Sequence, residues 1–116
     1  MPATFEELTA EIRAFRDARD WLQFHQPKEL AVAISAEAGE LLQHFVWQNA
    51  DQSGQRVQER RAEIENEIAD VAILLFELAD NCDIDLAQAM RAKLARNEAR
   101  YPVAKAKGSN KKYNEL

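Results

Sequence analysis

At 116 residues, with 47% hydrophobic and 30% charged side chains, the chain has the length and composition of one soluble globular domain. A net charge of −5 argues against coating nucleic acid, which wants a basic face, yet leaves room for a phosphorylated small molecule held by a local cluster of cations or metal ions. One cysteine excludes an internal disulfide, no apolar run approaches the roughly 18 residues that cross a bilayer, and the opening "MPATFEELTAEIR" lacks an apolar signal core, so a cytoplasmic location without a membrane partner is expected.

In chain order, Phe5, Leu8, Ile12 and Phe15 recur at three- and four-residue spacing and predict a first helix. Pro27 suits the first position of a second, where its missing N–H costs nothing, and that helix is expected to run to about Trp47. "QNADQSGQ", polar and containing Gly54, reads as a loop. A third helix is expected from about Val57 to Asn81, striped by Ile64, Ile68, Val71, Leu74, Leu75 and Leu78. After the break "NCDID", Asp85 and Gln88 have the spacing of a capping box opening a fourth helix, which carries Leu86, Met90 and Leu94 and ends near Tyr101, before Pro102. Lys105, Lys107, Lys111 and Lys112 make the remaining tail basic around Gly108. The expected fold is an all-α four-helix bundle over residues 1–104 with a basic C-terminal tail, 105–116. A core this small is often completed by oligomerisation.

Two pairs of acids interrupt this pattern. Glu37 and Glu40 in the second helix, and Glu67 and Asp70 in the third, are each three residues apart and each enter an apolar run. Such a spacing puts neighbouring carboxylates on one helix face. Either pair alone reads as a solvated face. Two matching pairs on helices packed antiparallel would converge, and four convergent carboxylates repel unless cations sit among them. All-oxygen ligands suit Mg²⁺ or Mn²⁺, and the missing Glu-x-x-His pairs argue against a di-iron centre. His44, four residues after Glu40, reads as structural.

Trp21, Phe24, His25 and Trp47 form a dense aromatic group around the second helix. They are either core and capping residues, the simpler assignment for Phe24, or a slot for a flat heterocycle whose edge or sugar His25 could hydrogen-bond. Trp47, about two turns beyond Glu40, suits a nucleotide whose phosphates lie at the acids. Lys93, Asn97 and Arg100 share a face of the fourth helix, which is either an ordinary charged surface or a grip for polyphosphate.

Taken together, "RDWLQFHQPKEL", "EAGE" within "GELLQHFVW", "EIAD", "KLARNEARYPV" and "KGSNKKY" resemble, in order and over nearly the whole chain, the all-α MazG-like nucleotide pyrophosphohydrolases, and within them the dCTP pyrophosphatase branch. The resemblance implies Mg²⁺-dependent hydrolysis of a nucleoside triphosphate to monophosphate and pyrophosphate, by a homotetramer built as a dimer of dimers with sites formed partly between subunits. Glu37, Glu40, Glu67 and Asp70 would be metal ligands. Trp21, Leu22, Gln23, Phe24, His25 and Trp47 would hold base and sugar. Lys93 and Asn97 would contact phosphates, joined by Arg100, Lys112 and Tyr113, and Glu40 would accept the proton of the attacking water. Some relatives carry histidine where this chain has Ile12 and tyrosine where it has Leu74, which opens the question of base preference. A broad-specificity dNTP or NTP pyrophosphatase and a non-catalytic helical interaction protein are the competing readings.

Overall fold

A computed structural model describes residues 1–116. It is all-α, as expected, without a strand, and its six α-helices are α1 (Phe5–Ala18), α2 (Pro27–Gln43), α3 (Ala50–Glu59), α4 (Arg61–Asn81), α5 (Leu86–Arg100) and α6 (Val103–Ala106). Single 3-10 turns occupy Leu22–Phe24 and Tyr113–Glu115. The four long helices expected from the apolar stripes are α1, α2, α4 and α5. No helix is long and apolar enough to cross a membrane.

The chain divides into two compact units, Met1–Asp83 and Ile84–Leu116. In the first, α4 is the central element, with α2 packed along it and α1 and α3 against it. Thr4 starts α1 by accepting the Glu7 N–H at 3.1 Å, while Glu6 and Glu7 complement the positive end of the helix dipole. Pro27 occupies the first turn of α2 as its fixed φ predicts. Contacts between the ends of the pair, His25 to Glu77 and His44 to Glu63, show that α2 and α4 run antiparallel. Only Leu30, Ile64 and Ala79 are buried among the apolar residues, and Arg16 and Glu77 are buried beside them.

The structure corrects three boundaries. Residues 48–55, expected as a loop, contain the start of α3, because Asn49 and Gln52 form a reciprocal capping box with two 2.9 Å bonds that satisfies N–H groups otherwise left without partners. The expected helix from Val57 to Asn81 is broken at Arg60, whose ψ of 35° leaves helical geometry, so Val57 belongs to α3. Finally, α2 stops at Gln43 rather than at Trp47. His44 and Phe45 bond back three residues, to the carbonyls of Leu41 and Leu42, and the chain leaves the helix through Trp47 in the left-handed region at φ 65°.

In the second unit, the Asp85 side chain accepts the Gln88 N–H at 3.0 Å and caps α5, one half of the expected box. α5 ends at Arg100, ahead of Pro102, which caps the short α6. The basic tail has structure of its own. Tyr113 meets the Tyr101 ring edge-on at 6.1 Å, and the Arg100 guanidinium lies 4.8 Å from the Tyr113 ring centroid.

Candidate functional site: a carboxylate cluster between two antiparallel helices

The acids of α2 and α4 meet because the helices are antiparallel and each pair repeats at three residues on the face turned to its neighbour. Glu37, Glu67 and Asp70 each offer an oxygen, and these atoms lie within 4.8 Å of one another. Glu37 and Glu67 are half-buried, and one oxygen of each, Oε2, is inaccessible to solvent without a hydrogen-bond partner. Unpartnered buried carboxylate oxygens are costly, so they mark a place built for a positive ligand. The donors are all oxygens, which suits a hard divalent cation. The three residues therefore fit such an ion.

Electrostatics agrees with this geometry. The Glu37 carboxyl is pushed up to about 7, first by a hydrogen bond shared with Glu40, then by burial and by the charges of Glu40, Asp70 and Glu67. Glu67 is raised as well, first by burial and then by the Glu40 charge. Glu40 is therefore part of the cluster electrostatically, although it is exposed and outside the group of three that can share one ion. His44 lies one turn beyond Glu40. Its Nδ1 is buried, without a hydrogen bond, 3.9 Å from Glu63 and outside the three-carboxylate group.

The aromatic residues separate into two places. Trp21, Leu22, Gln23, Phe24 and His25 form one tight turn ahead of α2, held by Phe24 N–H to the Trp21 carbonyl and His25 N–H to that of Leu22. Gln23 closes it through its amide, 3.0 Å from the Asp20 carbonyl. Phe24 is 62% exposed, which corrects its simpler assignment to the core. Trp21 touches Phe15 edge-on at 5.8 Å and His25 at 6.0 Å. Trp47 follows the opposite end of α2 and is 94% exposed. The 17 residues of α2 span about 25 Å, so one chain does not bring Trp47 and the Trp21–His25 turn into one slot.

In the second unit, Lys93, Asn97 and Arg100 follow at four and three residues along α5 and share a face. Lys112 caps the last 3-10 turn, its ammonium 5.9 Å from the Tyr113 ring. Arg100, Lys112 and Tyr113 thus form one cluster at the end of α5, while Asn97 and Lys93 stand about one and two turns before it.

Sequence reasoning missed three polar residues. Arg16, Glu77 and Asn81 make a buried network behind the Trp21–His25 turn. A signal existed: Glu77 follows Asp70 by seven residues, the same α4 face two turns on, inside the apolar run "LLFEL". Ile12 lines an apolar groove between α1 and α4 with Leu8, Ala72, Ile73 and Phe76.

Comparison with known proteins agrees with this arrangement. The model of the MazG-like family matches residues 32–116. The chain is 39% identical to mouse dCTP pyrophosphatase 1 and 38% identical to the human protein, in both cases over 97% of this chain and 68% of the relative. It is 36% identical to a dATP/dGTP diphosphohydrolase of Cyanophage S-2L, over 86% of this chain and 79% of the relative. A solved structure of a pyrophosphatase from Archaeoglobus fulgidus superimposes with a TM-score of 0.83 at 43% identity, covering 88% of this chain and 95% of that one.

Proposed function

We propose, since the chain belongs to the MazG-like family, that it is a nucleoside triphosphate pyrophosphohydrolase that uses Mg²⁺ or Mn²⁺ and prefers dCTP or a modified dCTP, releasing dCMP and pyrophosphate. The observation that carries this reading is the convergence of Glu37, Glu67 and Asp70 within 4.8 Å, with Glu40 beside them. Those three residues would hold the cation. When bound, it supplies positive charge against the triphosphate and acidifies a water.

The rest belongs to the chain's own side chains. Glu40 is outside the group that can share one ion, so its carboxylate is free to take the proton of a water attacking the α-phosphorus. The bond from that phosphorus to the bridging oxygen breaks and pyrophosphate departs; the family resemblance gives contact with its phosphates to Lys93 and Asn97, joined by Arg100, Lys112 and Tyr113. The Trp21–His25 turn holds base and sugar. Because Trp47 stands at the far end of α2, its contribution to such a pocket comes from a neighbouring subunit of a homotetramer assembled as a dimer of dimers. The thin core, with three buried apolar residues, supports assembly.

A panel of natural and modified dNTPs and NTPs, compared by kcat/KM, tests the substrate. Preference for dCTP or a modified dCTP by tenfold or more is expected. The 36% identity to a protein named for dATP and dGTP favours a second reading, a broad-specificity pyrophosphatase, which equal kcat/KM values across bases would support. A non-catalytic helical interaction protein needs no such cluster, and the family does not favour it.

A further inference from the structure

Behind the Trp21–His25 turn lies a polar network with a definite direction to each bond. Glu77 is 4% exposed and makes a hydrogen bond to Nδ1 of His25. Arg16, 6% exposed, donates from Nη1 to Asn81 Oδ1 at 2.6 Å. Asn81 in turn donates from Nδ2 to the His25 carbonyl at 3.2 Å. A guanidinium only donates and a carbonyl only accepts, so the orientation of the Asn81 amide is fixed by its partners. Likewise Nδ1 of His25 carries a proton toward Glu77, which leaves Nε2 as the ring nitrogen able to meet a ligand. The Trp21 N–H bonds to the Arg16 carbonyl at 3.1 Å, so both ends of the turn are tied to the same network.

Buried hydrogen-bonded polar side chains are weak as stabilisers, because apolar side chains of like volume often serve as well. What such a network supplies is a single geometry. Here the geometry has a length. Glu77 lies seven residues after Asp70 on α4, two turns and about 10 Å along the same face. That is the order of the distance from the α-phosphate to the base of an extended nucleotide.

We propose that Glu77 is a positioning residue for nucleotide recognition. It pins the His25 imidazole, and with Asn81 the whole Trp21–His25 turn, at a set distance along α4 from the carboxylate cluster, with Nε2 of His25 presented to base or sugar. This role rests on the reading above, in which the turn receives base and sugar. Glu77 is two turns from the acids and takes no part in holding the cation.

The test compares Glu77→Met, which keeps length without an acceptor, with Glu77→Gln, whose amide oxygen still accepts from Nδ1. In the full chain with Mg²⁺ and dCTP, Glu77→Met is expected to raise KM about tenfold while kcat falls less than about threefold, and Glu77→Gln to restore most of the loss. In a Trp47→Phe background, where Trp21 is the remaining indole, Glu77→Met is expected to increase acrylamide quenching without substrate present. Asn81→Ala, which releases the His25 carbonyl, is expected to shift KM the same way and replaces Glu77→Met if that variant does not fold. Combined with His25→Ala, Glu77→Met adds nothing further if it acts through the imidazole. Unchanged KM and quenching, or a fall in kcat alone, overturns the positioning role and leaves the hydrolase reading intact. Failure of the wild-type chain to hydrolyse any triphosphate overturns both.

Discussion

Glu37 is the residue on which pH acts most visibly. Its folded-state carboxyl is held at about 7, against 4.5 for the free side chain, because a proton shared with Glu40 and the surrounding carboxylates favour the neutral form. A raised carboxyl stabilises the metal-free fold fully below about 4.5, and that contribution is lost as pH rises through about 7. A divalent cation needs the deprotonated form and reverses the balance. Mg²⁺ should therefore raise the melting temperature more at pH 8 than at pH 6, and calorimetry in buffers of different ionisation enthalpy should show proton release on binding at pH 6. A Mg²⁺-induced shift independent of pH would contradict the shared proton. At this scale the sequence was informative where a pattern repeated. Glu37, Glu40, Glu67 and Asp70 were legible because two three-residue spacings matched. Asn81 was not, since its partners Arg16 and His25 are more than fifty residues away, and for Glu77 the only local trace was its place inside "LLFEL", which names no partner.

The elements were legible through apolar periodicity and illegible where caps decide. Pro27 and Asp85 marked helix starts correctly. The stretch that opens α3 was hidden because it is polar and contains Gly54, and α3 buries no residue that would leave an apolar stripe. Its signal was the Asn-x-x-Gln spacing of Asn49 and Gln52. Asn49→Ala should then cost about 1 kcal/mol, read as a lower thermal midpoint, with Asn49→Gly costing only a few tenths. Equal stability of Asn49→Ala and wild type would show that the cap does not hold α3. The early end of α2 was hidden for the opposite reason. "HFVW" continues the apolar pattern past Gln43, yet the chain turns out of the helix with Trp47 in a left-handed conformation that periodicity does not encode. That turn ends α2 four residues before Trp47, which stands 94% exposed beyond it.

For the whole molecule, a first unit with Leu30, Ile64 and Ala79 as its buried apolar residues leaves Val32, Ile68 and Leu75 more than 40% exposed. Such surfaces on α2 and α4 are expected to be covered in an assembly. Light scattering should give about four times the 13.2 kDa chain mass, and a monomer that keeps full activity on dilution would contradict an assembled site. The all-α class was readable from the sequence, whereas the proposed assembly rests on family resemblance and the small core, because subunit contacts leave no periodic pattern of their own. The proposed activity of the carboxylate cluster is metal-dependent pyrophosphate release. Its most direct test is the product analysis of dCTP incubated with Mg²⁺, wild type beside Glu37→Gln. Equimolar dCMP and pyrophosphate from wild type, abolished by chelation and reduced about 100-fold or more in Glu37→Gln, is the predicted result. Full turnover by Glu37→Gln, or release of dCDP and inorganic phosphate, would contradict it.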